Sequence, residues 1–434
     1  MKLSPGKLMF LVWATCILTW SILPFQLTQN KFSILGLLIF FVFISFFLLG
    51  SYIRKLIKLK PSEQNWKSIA VKNASRVLEL FSFFSSLLFL IDYQSSNIFD
   101  LTETYQLRSD QADALLNASS SNSSLAFQIA FLIYPAGNVY IALKIIYEKN
   151  ISYIKLLLYG FLPIFLASFV MGGRIPIFYA TVIAFLSWRI RKNYALQLGY
   201  ETIQSSKWNF KKGLITSIAL VMICISFYYF AAVFFVRAEV VGGSDGMFVI
   251  AEEVWGIKFT GIGSAILFST LGNNGTFLLF IFSWYLVQGL LMSNILFINY
   301  DGPLQLGTYG IDIISAIVRR TNGAFLSKNF ASLLDLGTYG FLPSAFGSLF
   351  VDFHFFSLII CFFWGWWAMG VHKKSKHGNL RSMLLIPFMV AGIFFSLINT
   401  PFGVTNGFIT HIWLFVAYFL VKNTSFNIPN SNLN

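Results

Sequence analysis

One arginine stands alone between two long apolar runs: Arg174, in Met171-Gly-Gly-Arg-Ile-Pro176. A guanidinium is costly in hydrocarbon, so an arginine placed there faces a cavity or a partner by default. Gly172 and Gly173 let the chain turn tightly and bring a ligand close, and Pro176 suits the first turn of a following helix. The planar guanidinium fork matches phosphate oxygens two at a time. The plainer alternative is an interfacial arginine reaching out to lipid phosphates. Further cations stand at Arg237, Arg319 and Arg320. Glu252 and Glu253 follow the glycine-rich Gly242-Gly-Ser-Asp-Gly246, and either carboxylate could take a proton from a hydroxyl. Asp352 and His354 are open to the same role, and residue type does not choose among the four. The alternative for the glutamates is a solvated loop face, and for His354 a satisfied buried histidine. The pentapeptide Leu-Gly-Thr-Tyr-Gly occurs twice, at residues 306–310 and 336–340. Tyr309 and Tyr339 could lie against sugar faces, or simply pack within two similar turns.

Most of these residues fall between Arg237 and Gly340, which holds seven of the 17 acids, against five basic residues. On either side the chain is apolar. Hydrophobic residues make up 56% of the 434, charged ones 11%, and mean hydropathy is +0.70, the balance of a multi-spanning membrane protein. Cys16, Cys224 and Cys361 are far apart in apolar runs and offer neither a disulfide framework nor a metal spacing. The net charge of +14 comes from basic residues clustered at the ends of apolar runs, where they set topology and meet anionic headgroups, so nucleic acid is not the expected partner. The first apolar run follows Lys2 and Lys7 without a small-residue cleavage site, and reads as a retained helix rather than a leader.

Crossing a bilayer takes roughly 20 apolar residues. Suitable runs lie at 8–24, 33–50, 77–93, 125–147, 154–171, 175–188, 214–236, 343–369, 382–399 and 407–421. The expected fold is therefore an all-α polytopic membrane protein of about ten transmembrane helices. Residues 1–236 carry the first seven, 237–341 form an external loop with re-entrant or interfacial segments, and 342–434 carry the last three and a tail. With the N-terminus inside, alternation puts 23 of the 31 Lys and Arg on the cytoplasmic side and eight outside. That bias predicts both termini in the cytoplasm and the long loop outside. Phe277–Ile298 is apolar enough to cross. One extra crossing would carry Lys373, Lys374 and Lys376 outside, so it either pairs with a second crossing near 257–271 or stays on the outer side as a re-entrant or interfacial segment, which is the expectation here.

A Gly-Gly-Arg at an external hairpin, one span, a long external loop, and then Gly337-Thr-Tyr-Gly-Phe-Leu-Pro343 leading into an aromatic span with Asp352 together resemble the bacterial oligosaccharide repeat-unit polymerases, the Wzy-type O-antigen and capsule polymerases. The resemblance covers roughly residues 154–434. It implies a glycosyltransferase in the bacterial cytoplasmic membrane, acting on undecaprenyl-diphosphate-linked glycans at the outer face and moving the growing chain onto an incoming repeat unit. A chain-length regulator protein is an implied partner. Arg174 matches the family's hairpin arginine. Arg237, Arg319 and Arg320 match by location alone, because Phe248, Phe330 and Ala331 stand where the Arg-x10-Gly motifs of some members have glycine.

Breaking a glycosyl diphosphate builds negative charge on the leaving group, which needs a divalent metal or fixed cations. The chain has no Asp-x-Asp, and His354, His372, His377 and His411 are not clustered as ligands, so no metal or other cofactor is expected. Two other classes are weighed against this one. A lipid-linked oligosaccharide flippase or transporter needs polar pathways inside its spans, often in repeated halves. An O-antigen ligase would call for a histidine in the long loop, and residues 237–340 contain none.

Overall fold

In the computed structural model the described residues are 3–27, 32–58, 68–93, 124–171, 173–193, 228, 231–236, 238–239, 241–253, 256–259, 261–338, 342–377 and 379–424. Most of the expected span 214–236 therefore lies outside them, as do Arg237, Tyr339, Cys224 and the Gly172 backbone. The chain is almost entirely helical, and among the described residues eight helices are long and apolar enough to cross a membrane. It is an all-α polytopic membrane protein.

Helix α1 (Pro5–Ile22) begins at Ser4, whose hydroxyl accepts from the Lys7 N–H, with proline in its first turn. Then follow strand β1 (Phe25–Leu27), α2 (Ile34–Leu56), strand β2 (Ser68–Ala70) and α3 (Lys72–Tyr93). Helix α4 (Leu125–Tyr147) is interrupted at Tyr134-Pro135, since proline lacks the N–H that would continue the ladder. Helix α5 (Tyr153–Val170) widens into a π turn over Leu156–Phe161, just before Pro163. There Gly160 meets Gly137 of α4 so closely that a Cβ on Gly137 would lie 2.6 Å from the Gly160 carbonyl oxygen. Helix α6 (Ile175–Asn193) follows after a tight turn.

The stretch expected to be an external loop contains α7 (Gly243–Glu253), strand β3 (Ile257–Phe259), α8 (Gly261–Asn299) and α9 (Asp312–Asp335). Helix α8 includes one of the eight long apolar helices, Ile262–Asn299, but it is broken at Gly272, whose φ of 66° only glycine adopts without strain. The expected Phe277–Ile298 run is its second piece. Helix α10 (Ser344–Phe353) and α11 (Ser357–Lys376) form a broken pair, and α12 (Leu380–Phe394) and the shorter α13 (Gly407–Leu420) lead to strand β4 (Lys422–Thr424).

Two bundle ends can be told apart by what they join. At one, β2 pairs antiparallel with β4. Three helix C-termini there are closed by basic side chains from neighbouring helices, which answer the unpaired terminal carbonyls. The Lys373 ammonium donates to Lys55 and Ile57 carbonyls at 2.9 and 2.6 Å. Arg191 donates to Ile145 and Lys149 at 2.8 Å each, and Arg381 to Val421 at 2.6 Å. Nearby, the buried Lys144 bridges Glu79 (3.2 Å) and Glu148 (3.1 Å), and Glu79 also accepts from Tyr140 and Ser75. At the other end, β1 pairs antiparallel with β3. Between them, α2 and α11 run parallel in close backbone contact: a Cβ on Gly50 would lie 1.9 Å from the Phe362 carbonyl oxygen, and one on Gly365 2.0 Å from that of Phe47.

Candidate functional site

Arg174 sits at the end that holds β1 and β3. The α5 helix closes with Gly173 N–H donating to Ser168 O at 2.9 Å, the six-to-one bond of a Schellman end. The chain turns at once, and the Arg174 carbonyl accepts from Phe178 N–H in the first turn of α6. Arg174 is therefore the residue at the N-terminus of a 19-residue helix, where unpaired N–H groups and the helix dipole add positive potential. Its side chain is 9% exposed, and the guanidinium carbon lies 3.6 Å from the centre of the Phe234 ring. Phe234 in turn packs edge-on against Tyr285 of α8. Cation–π contact of this kind holds the guanidinium plane over the ring.

A second, more constrained neighbourhood is built around Asp352. The Asp352 carboxylate, 2% exposed, accepts from Tyr309 N–H at 3.0 Å and Gly310 N–H at 2.9 Å, while its carbonyl accepts from Leu306 N–H at 3.0 Å. Asp352 thus clamps the first Leu-Gly-Thr-Tyr-Gly turn. Gly310 fits because a Cβ there would lie 2.7 Å from Asp352 Oδ2. Its carbonyl in turn abuts Gly403, in the connection between α12 and α13. Among the described residues, five that are not glycine have left-handed backbones: Leu306, Ser344, His354, Thr405 and Asn406. All five lie around this clamp. Leu306 bonds Asp352, His354 follows it by two residues, Thr405 and Asn406 follow Gly403, and Ser344 starts the helix whose Ser348 approaches Gly310. Such conformations cost about 1–3 kcal/mol each and persist where surrounding structure enforces them, as at binding sites.

The two parts are linked through α6 and the turn after α12. Phe178 and Tyr179 pack on Phe395 at 5.6 and 5.3 Å, one helical turn from Arg174. Phe395 precedes the 399–406 connection, whose Thr405 carbonyl accepts from Tyr134 OH at 3.0 Å.

The other expected residues fall as follows. Glu252 forms an ion pair with Lys258 at 2.8 Å, both about half exposed, and Glu253 is exposed beside it on α7. An aromatic run leads from there towards Arg174: Phe248 of α7 meets Phe277, which meets Phe235, next to Phe234. Tyr309 is half-buried, its ring 6.0 Å from Phe330. Arg319 is half-buried on α9, just before a break at Asn322, and the Arg320 side chain is outside what is described. His354 bonds the Gly302 carbonyl at 3.1 Å between the rings of Tyr300 and Phe350. The two pentapeptides share a backbone device. Gly307 and Gly337 are both left-handed, and Thr308 and Thr338 are buried with their hydroxyls bonded back to Gln305 and Leu333 carbonyls. Among the described residues no group of three His, Cys, Asp or Glu is placed to hold a metal ion.

The chain matches no protein-family model, no curated protein and no solved structure.

Proposed function

We propose that this protein polymerises undecaprenyl-diphosphate-linked oligosaccharide repeat units at the outer face of the cytoplasmic membrane, transferring the growing chain from its lipid carrier to an incoming unit. The observation that carries the reading is Arg174, a guanidinium buried at an interhelical hairpin, steadied on an aromatic ring and set at a helix N-terminus. Two sources of positive potential converge there: the side-chain charge and the helix N-terminus, whose first-turn N–H groups carry the positive end of the helix dipole. A diphosphate leaving group gains negative charge in the transition state, and fixed donors of this kind stabilise it without reorganising.

Contacts between distant segments support the proposed topology of ten spans with both termini inside. Alternation puts 25–27, 257–259, 305–311 and 399–406 all outside, and the observed pairings join these segments to one another: β1 to β3, and Gly310 to Gly403. It puts 68–70, 191, 373, 381 and 422–424 inside, and those too meet one another or the helix ends expected there. The parallel run of α2 and α11 fits two helices that both enter from outside.

Because arginines take the place of a divalent cation in this reading, purified protein supplied with lipid-linked repeat units extends them into a ladder of longer lipid-linked chains in excess chelator. Loss of extension that magnesium or manganese restores would replace the arginine mechanism by a metal one, with Glu252 and Glu253 as the first ligands to examine.

A further inference from the structure

At the end closed by β2 and β4, several basic side chains are spent on backbone carbonyls. Arg191 donates to Ile145, Glu148 and Lys149, Arg381 to Val421 and Phe419, and Lys373 closes α2. Arg54, in the last turn of α2, is engaged differently. Its guanidinium carbon lies 4.6 Å from the centre of the Trp366 ring of α11. Gly370, one turn further along α11, leaves the room it needs: a Cβ there would lie 3.3 Å from Arg54 Nε and 4.0 Å from Nη2. The guanidinium is thus held across Trp366 and Gly370. Nε is buried and makes no hydrogen bond. Among the described residues nothing accepts from Nη1 or Nη2 either, and these two are not enclosed as Nε is.

The charge around Arg54 is of one sign. Lys55 and Lys58 come next in the chain, and Lys373, Lys374 and Lys376 end α11. Neither α2 nor α11 contains an acid, and the ion pairs among the described residues lie elsewhere, at Lys144 and Lys258. The terminal carbonyls of α2, which would repel an anion, are already answered: the Lys373 ammonium donates to those of Arg54, Lys55 and Ile57 at 3.4, 2.9 and 2.6 Å. Beside the guanidinium, Ile53 of α2 and Phe363 of α11 are exposed, as is Tyr52. Aromatic rings and a cation at a helix end, with bare apolar side chains beside them, match the boundary between head groups and acyl chains.

We propose that Arg54, steadied on Trp366 and flanked by Lys55 and Lys373, binds the phosphate of an anionic lipid in the leaflet at this end, with the acyl chains along Ile53 and Phe363. The uncommitted fork can take two phosphate oxygens at once. Basic pockets between membrane helices favour anionic head groups, and a zwitterionic one would bring its own ammonium against the lysines. The site needs only the helical membrane bundle, so it stands apart from the polymerase reading.

The test is native mass spectrometry of the purified full chain in detergent, titrated with phosphatidylglycerol, with phosphatidylcholine, and with phosphatidylglycerol in the presence of millimolar inorganic phosphate. The wild-type protein is expected to retain phosphatidylglycerol in preference to phosphatidylcholine, and inorganic phosphate is expected not to displace it. Arg54→Gln is expected to weaken the tightest-bound phosphatidylglycerol about 10-fold or more, the scale of a lost hydrogen bond to a charged group, and Arg54→Lys, which keeps the charge without the fork, by less. Arg189→Gln removes the same charge from an exposed position on α6 and is expected to leave that affinity unchanged. Equal affinity in the wild type and Arg54→Gln overturns the proposal, as does an equal loss in Arg189→Gln, which would mean diffuse attraction. Equal retention of phosphatidylcholine, or displacement by inorganic phosphate, overturns an anionic lipid as the ligand. Should Arg54→Gln fail to accumulate, Arg54→Lys carries the test, and wild-type affinity in that variant overturns the proposal.

Discussion

Lysine in place of Arg174 keeps the charge but loses the planar fork and its contact with the Phe234 ring. Arg174→Lys is therefore expected to shorten surface polysaccharide and Arg174→Ala to shorten it further. The loss of a hydrogen bond to a charged group costs about 1.5–3 kcal/mol, roughly 10- to 150-fold in rate where the contact strengthens in the transition state. An arginine that only reaches to lipid would tolerate lysine, and its alanine variant would mainly lower the amount of protein in the membrane. Polymer length and membrane abundance measured on the same cells separate the two, and normal chains from Arg174→Ala at normal abundance would remove the residue from the reaction. Arg174 was legible in the sequence because a single guanidinium between two apolar runs is conspicuous without any knowledge of the fold.

Among the elements, the helices themselves were read closely from apolar length, and α1 to α5 lie within a few residues of the expected runs. The pentapeptide repeats were legible as paired turns, because glycine before a buried threonine calls for a left-handed position and a hydroxyl bonded backward. What clamps the first copy was hidden, since Asp352 is 42 residues from Gly310. Basic residues read only as topology signals proved to have a structural use, closing the ends of α2, α4 and α13. Helix α8 is the element on which the topology turns. If α8 and α9 remain on the outer side, joined to the bundle through β1–β3 and the Asp352 clamp, reporter fusions after Ile298 and after Gly323 both give an external signal. A cytoplasmic signal after Ile298 would make α8 a crossing, and the twelve-span arrangement would replace the ten.

At the scale of the whole molecule, the two ends do different work. One end is closed by β2–β4, basic caps and the Glu79–Lys144–Glu148 bridge, contacts that hold helices together. The other gathers the guanidinium of Arg174, five strained backbones and the Asp352 clamp. That asymmetry fits an enzyme working on one membrane face better than a transporter, whose pathway must open to both. The clamp of Asp352 on the 306–310 turn, and the contact of that turn with Gly403, needed the fold. The most direct measurement is the length distribution of surface polysaccharide in a strain from which this protein has been deleted. Polymerisation predicts loss of long chains with single repeat units still delivered to the surface, restored by the wild-type protein. Loss of even the single unit would contradict it and indicate a flippase or ligase.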